Sequence, residues 1–268
     1  MKTYQLATLA AVLVCAAATA QTPVPSSAPA ATSAPAPSRA ALLEEVALAS
    51  RILARQGVVD AYGHVTIRNP ANPSHFFMSR NLPPALATAA DIVEYDLDSQ
   101  PVSLNAPPGF TERYIHGEIY RARPDVMSVV HFHAADVIPF GVTGVPLRPV
   151  YHMAGFLGAG VPVFEIRNTV AATDMLIRNP QLGAALARTL GNKPVALMRG
   201  HGAVTAASGL HIAVAEAYYI MVNARLQAQA LQLGGSKVTY LSDDEARMAG
   251  AQDGFERAWT LWKSEASH

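Results

Sequence analysis

Residues 128–133, Ser-Val-Val-His-Phe-His, constrain the fold more than any other part of the chain. On an extended strand alternate residues face the same way. His131 and His133 therefore project from one face, a few ångströms apart, at a spacing that chelates one metal ion. Val130 and Phe132 project from the other face and need an apolar layer to pack against. A pair of half-buried structural histidines satisfies the same alternation, so the rest of the chain must decide between the two.

The surrounding pattern predicts helices around a set of short strands. Residues 40–56 space Leu42, Leu43, Val46, Leu48, Ile52 and Leu53 as an amphipathic helix that Gly57 ends. Strands are expected at 63–68, 75–79, 91–98, 126–133, 162–165 and 194–198. A short helix over 111–121 has Thr111 as its cap and stops before Pro124. Residues 168–190 and 210–233 read as helical, and the Ser-Asp-Asp-Glu run at 242–245 as a capping box opening a last helix that ends near Trp262. Several strands are joined by turns rather than by crossover helices. That points to an α/β fold with a mixed or antiparallel sheet, not a doubly wound one. No glycine-rich loop of dinucleotide or P-loop spacing follows a strand, which gives no case for a nucleotide cofactor.

The first 38 residues are read apart from this domain. Lys2, the run from Leu6 to Ala18 and the Ala18-Thr19-Ala20 triplet have the form of an export signal cut after residue 20. Residues 21–38 are rich in Pro, Ala and Ser and carry no charge, as a disordered tether does. The catalytic domain is then 39–268, and the mature protein is expected to be periplasmic or secreted, with no membrane attachment after cleavage. Cys15 is the only cysteine and lies inside the signal, so no thiol is left to ligate a metal. Twenty basic residues balance twenty acidic ones, which gives no electrostatic case for nucleic acid or an anionic membrane surface.

Two further segments bear on the histidine pair. His201 stands in Gly200-His201-Gly202 at the end of an apolar strand, where the sheet can aim it and the glycines leave room for a ligand. Three imidazoles leave a tetrahedral ion one open position, the mark of a catalytic rather than a structural site. Glu112 opens the helix before the His-x-His strand, with His116 one turn later. Alone, Glu112 serves equally as a helix-dipole partner. Beside a tri-histidine ion it becomes a candidate acid/base or a labile fourth ligand, with His116 assisting.

The run TERYIHGEIYRARPDVMSVVHFHA, followed by MRGHGAV, resembles the class II aldolase/adducin family, and the similarity extends from the helix at 40 to about residue 235. The resemblance implies a three-layer α/β/α fold with a mixed, mainly antiparallel central sheet. It implies His131, His133 and His201 as metal ligands and Glu112 as the catalytic acidic residue. It also implies a divalent ion, zinc first and manganese or iron as alternatives, and a homotetramer with sites at subunit contacts. Where sugar-phosphate aldolases of the family hold phosphate with small donors, this chain has Gly63-His64, Ser79-Arg80 and Phe110-Thr111. Arg80 offers a fork suited to a carboxylate, although a surface arginine would look the same. His64, Ser79, Tyr151, His152 and Tyr218 complete the candidate substrate contacts. The runs GHVTIRNPANPSHFFMSR and ALMRGHGAV are similar to the decarboxylase branch, which acts on hydroxy-carboxy semialdehydes or dihydroxyaryl carboxylates. The expected activity is thus a metal-dependent carbon–carbon lyase that decarboxylates a small carboxylate. The rivals are an aldolase or epimerase on an unphosphorylated hydroxy-keto acid, an iron-dependent oxygenase, and a non-catalytic adducin-like module.

Overall fold

The computed structural model describes residues 37–250 and 254–266; the expected signal at 1–20 and nearly all of the expected tether lie outside them. Helix α1 (Arg39–Arg55) is capped by the Ser38 hydroxyl, which accepts from Ala41 N–H. Strands β1 (His64–Arg68), β2 (His75–Ser79) and β3 (Ile92–Asp96) follow as an antiparallel meander. Then come α2 (Tyr114–Ala122), β4 (Ser128–Phe132), α3 (Ile138–Thr143), β5 (Val163–Phe164) and α4 (Pro180–Leu190). The hairpin β6 (Val195–Met198) and β7 (Gly202–Ala207) leads into the long α5 (Leu210–Gly234), and α6 (Asp243–Gly250) and α7 (Glu256–Ala266) close the chain.

The seven strands lie in the order β3-β2-β1-β4-β7-β6-β5, and only the β5–β6 pair is parallel. This is the mixed, mainly antiparallel sheet that the turn-joined strands predicted. Its faces are divided by strand alternation. Val65, Val130, Phe132, Leu197 and Ala203 pack with α1, α5 and α7 in one core. Phe76, Val129, Ala196 and Val204 pack with α2 and α4 in another. Each fully buried Val, Leu or Phe side chain contributes about 1.5–3 kcal/mol. Among the described residues, no helix is long and apolar enough to cross a membrane.

Four local expectations differ. Thr111 does not cap a helix by its side chain; residues Thr111–Arg113 form a 3₁₀ turn and α2 begins at Tyr114. The helix expected over 168–190 forms only from Pro180, where Asn179 accepts from Leu182 N–H. Before it runs an irregular segment in which Met175 holds φ of 74°. The helix expected from the capping box to Trp262 is two helices, with Gly254 and Phe255 at φ of 70° and 62° just before α7. Strand β7 was not foreseen.

Candidate metal centre and cleft

Strand β4 sits at the middle of the sheet, between β1 and β7, so its side chains are shielded from both sides. His131 is paired opposite His64 on β1 and Val204 on β7, and is fully buried. His133 lies just past the end of β4 and is half-buried. His201 reaches the same place from the three-residue turn between β6 and β7, where Gly200 takes φ of 63°. A side chain is impossible at Gly202, because a Cβ there would stand 2.1 Å from the Phe132 carbonyl oxygen. That close approach draws the β6–β7 turn against the end of β4.

Four side chains converge there. The ligand atoms of Glu112, His131, His133 and His201 all lie within 4.8 Å of one another. Nε2 of His133 is 3.0 Å from Nε2 of His131 and 3.0 Å from Nε2 of His201. Oε2 of Glu112 lies 3.5 Å and 3.4 Å from Nε2 of His131 and His201.

The contacts behind these atoms set the tautomers. Nδ1–H of His131 donates to the Ala203 carbonyl at 3.1 Å, and Nδ1–H of His201 to the Met175 carbonyl at 2.9 Å. With the proton on Nδ1, each ring turns the lone pair of Nε2 toward the shared point, the arrangement a metal ligand requires. Three nitrogens meeting there can share at most one N–H bond between any two, so a cation fits the set better than the nitrogens fit one another. Glu112 is held from behind as well: Ile177 N–H donates to Oε1 at 2.8 Å and leaves Oε2 facing the histidines. Met175 and Ile177, in the irregular segment before α4, therefore fasten two of the four groups.

The electrostatics agree with a site for a positive charge. Burial pushes the Glu112 carboxyl up, but when His131 and His201 take a second proton, on Nε2, their hydrogen bonds and charge outweigh it and hold the group well below the carboxylate range. Burial and repulsion from His131 and His201 take His133 down to about 3. His201 is lowered by burial and raised more by Glu112, with a net rise.

Beside the four groups opens a cleft of about 240 Å³, lined by Tyr62, Gly63, His64, Asn81, Phe110, Thr111, Glu112, His133 and Leu176. Among the described residues, no lysine or arginine lines it. A larger hollow of about 370 Å³ lies between α2 and α4, but Arg121, Arg123, Arg188 and alanines line it and it holds none of the four groups.

Of the other candidate substrate and proton-transfer residues, only His64 lines this cleft, together with Gly63, Phe110 and Thr111, which stand where sugar-phosphate aldolases hold phosphate. His116 is fully buried behind it, with Nε2 2.7 Å from Nδ1 of His64. Arg80 does not line it; its Nε donates to Oδ1 of Asp91 at 2.7 Å, so part of the fork expected to meet a carboxylate is engaged elsewhere. Ser79 is buried at the end of β2, paired with Ile92. Tyr151 and His152 contact each other at 6.0 Å, and Tyr218 packs on Trp262 at 5.0 Å. None of these lines the cleft within one chain. Asn81, Tyr62 and Leu176 line it without having been singled out.

Residues 44–228 match the family model described as the Class II Aldolase and Adducin N-terminal domain. The chain is 40% identical over 238 residues to the decarboxylase tropJ of Talaromyces stipitatus, covering 80% of this chain and 90% of that protein. It is 31% identical over 236 residues to 3,4-dihydroxyphthalate decarboxylase of Arthrobacter keyseri, covering 83% and 91%. Among solved structures, an aldolase II superfamily protein from Pseudomonas syringae superposes with a TM-score of 0.73 at 21% identity, over 86% of this chain and 94% of that one, a likeness of fold.

Proposed function

The chain belongs to the class II aldolase and adducin family, and from that premise we propose that it is a metal-dependent lyase that removes carbon dioxide from a dihydroxyaryl carboxylate or a hydroxy-carboxy semialdehyde. The observation that carries this reading is the convergence of three Nε2 atoms and the Glu112 carboxylate beside a cleft with no cationic side chain. Relatives named as decarboxylases support the reaction type. The adducin-like alternative expects the ligand set to be lost, and it is complete.

His131, His133 and His201 would hold the ion. A divalent metal bound there supplies a Lewis acid for the oxyanion that develops when the carbon–carbon bond breaks. Glu112 is ionised before substrate arrives, so its Oε2 first accepts the proton of the substrate hydroxyl nearest the histidines. The bond to the carboxylate then breaks, carbon dioxide leaves, and the electron pair stays on the substrate. Glu112 returns its proton to that carbon, and atoms and charge balance. The Ile177 N–H keeps Oε1 occupied, so a single oxygen of Glu112 does both tasks. Phe110 and Leu176 give the cleft an apolar lining.

The same reading includes zinc as the ion, since three imidazoles and one open position suit it. It also includes a homotetramer and export with loss of residues 1–20; these rest on sequence and resemblance. The test is to purify the protein, quantify bound metal, and offer 3,4-dihydroxyphthalate and a hydroxy-keto acid in parallel. One ion per chain is expected, with gas released from the first compound, lost on chelation and restored by zinc. Release of an aldehyde without gas would favour the aldolase alternative. Full activity in ion-free protein would end the metal reading.

A further inference from the structure

We propose that Tyr120, Thr66 and His116 form a one-way chain of hydrogen bonds that fixes His64 as the Nε2–H donor to the carboxylate of the substrate. This rests on the lyase reading above and names the group within it that meets the departing carboxylate.

The chain is buried throughout. The hydroxyls of Tyr120 and Thr66 are 2.8 Å apart, Thr66 Oγ1 is 2.8 Å from Nδ1 of His116, and Nε2 of His116 is 2.7 Å from Nδ1 of His64. Thr66 and His116 have no exposure at all. The far end is clamped: Arg68 donates to the Tyr120 carbonyl at 2.7 Å and lies over the Tyr120 ring at 4.6 Å.

Three proton arrangements are conceivable, and distances separate them. In one, Tyr120 donates to Thr66, Thr66 to Nδ1 of His116, and Nε2–H of His116 to Nδ1 of His64. Every bond is then 2.7–2.8 Å. In the reverse arrangement the Tyr120 hydroxyl must donate instead to the Met127 carbonyl at 3.5 Å, the outer limit of a hydrogen bond. In the third, Tyr120 and Nδ1–H of His116 both donate to Thr66, whose own hydroxyl is left with the Val129 carbonyl, also at 3.5 Å. A buried hydroxyl without a sound acceptor loses the full cost of leaving water. The first arrangement therefore holds, and it puts the proton of His64 on Nε2, the ring nitrogen with no partner among the described residues. His64 lines the cleft beside Glu112 and His133.

The chemistry of the cleft says what this donor meets. Apart from the Glu112 carboxylate and His133, its polar groups Asn81, Thr111 and Tyr62 are uncharged, and Arg80 pairs with Asp91 outside. A carboxylate about to become uncharged carbon dioxide is oriented by an N–H without the strong ground-state attraction of a guanidinium, which the transition state would have to give up. His116 and Thr66 act through His64 and are positioning residues.

The experiment measures binding by calorimetry to zinc-loaded protein, using 3,4-dihydroxybenzoate and catechol, which differ only in the carboxylate. The ratio of their affinities isolates the carboxylate contact. His64→Ala is expected to remove a preference of about tenfold for the carboxylate while leaving catechol unchanged. Thr66→Val and Tyr120→Phe should cut the same ratio about threefold or more, Thr66→Ser should keep it, and the His64→Ala/Thr66→Val pair should match His64→Ala alone. If both ligands bind and His64→Ala weakens them equally, or if the two substitutions add, the relay assignment falls while the lyase reading stands. If neither ligand binds, the lyase reading falls and takes the relay with it.

Discussion

The two faces of the central sheet use the same strands for different ends. Toward α1, α5 and α7, residues such as Val65, Val130 and Phe132 are apolar and fully or almost fully buried. Toward α2 and α4, the alternate residues His64, Thr66 and His131 are equally buried, yet each is joined to a hydrogen-bonded partner. Burial alone thus does not distinguish the chemistry from the scaffold; the partner behind each polar atom does. Because the two sets alternate along β1 and β4, substitutions on one face should leave the property of the other intact.

The hardest test of that separation is His201→Ala. Activity should fall by at least about 1,000-fold with loss of the bound ion, while far-ultraviolet circular dichroism still reports the native fold. An active, metal-replete variant would break the comparison. The converse is Ile220→Ala in α5, where Ile220 is fully buried in the apolar core. It should cost about 2–5 kcal/mol in denaturant unfolding, with metal content per folded chain unchanged.

Glu216 sharpens the contrast, because it breaks the apolar rule on its own face. It is buried in α5, its Oε2 has no partner among the described residues, and burial raises its carboxyl to about 8. A carboxyl whose folded value exceeds its unfolded one loses stability as pH rises from the unfolded value through about 8. At pH 7 the loss is of order 3 kcal/mol. Melting curves from pH 5 to 8 should therefore fall for the wild type and flatten for Glu216→Gln; equal slopes would mean that the group finds a partner in solution.

Much of this was legible in the sequence because it is local. The alternation in 128–133 assigns His131 and Val130 to opposite faces without knowledge of any other strand. The glycines around His201 mark a tight turn at the end of a core strand. What escaped depends on distant pairing. Strand β7 reads Gly-Ala-Val-Thr-Ala-Ala, a composition with weak strand preference, and it is a strand because β4 and β6 flank it. Arg80 looked free because Asp91, eleven residues on, comes beside it only when β2 pairs with β3. His116 was assigned to proton transfer from its helical spacing to Glu112, but β1 delivers His64 and Thr66 to it from fifty residues away. Residues 168–190 read as one helix, but 168–179 do not form it. The signal against it was Asn179-Pro180, a cap and first-turn pair that starts the helix later.

The irregular stretch that replaces that helix has a consequence of its own. One short length of backbone, from Met175 to Ile177, grips both His201 and Glu112. How tightly the protein retains its ion and where its proton carrier stands are therefore not independent variables. Any sequence change that lets this tether drift shifts both together, and selection for a different substrate must move them as a pair.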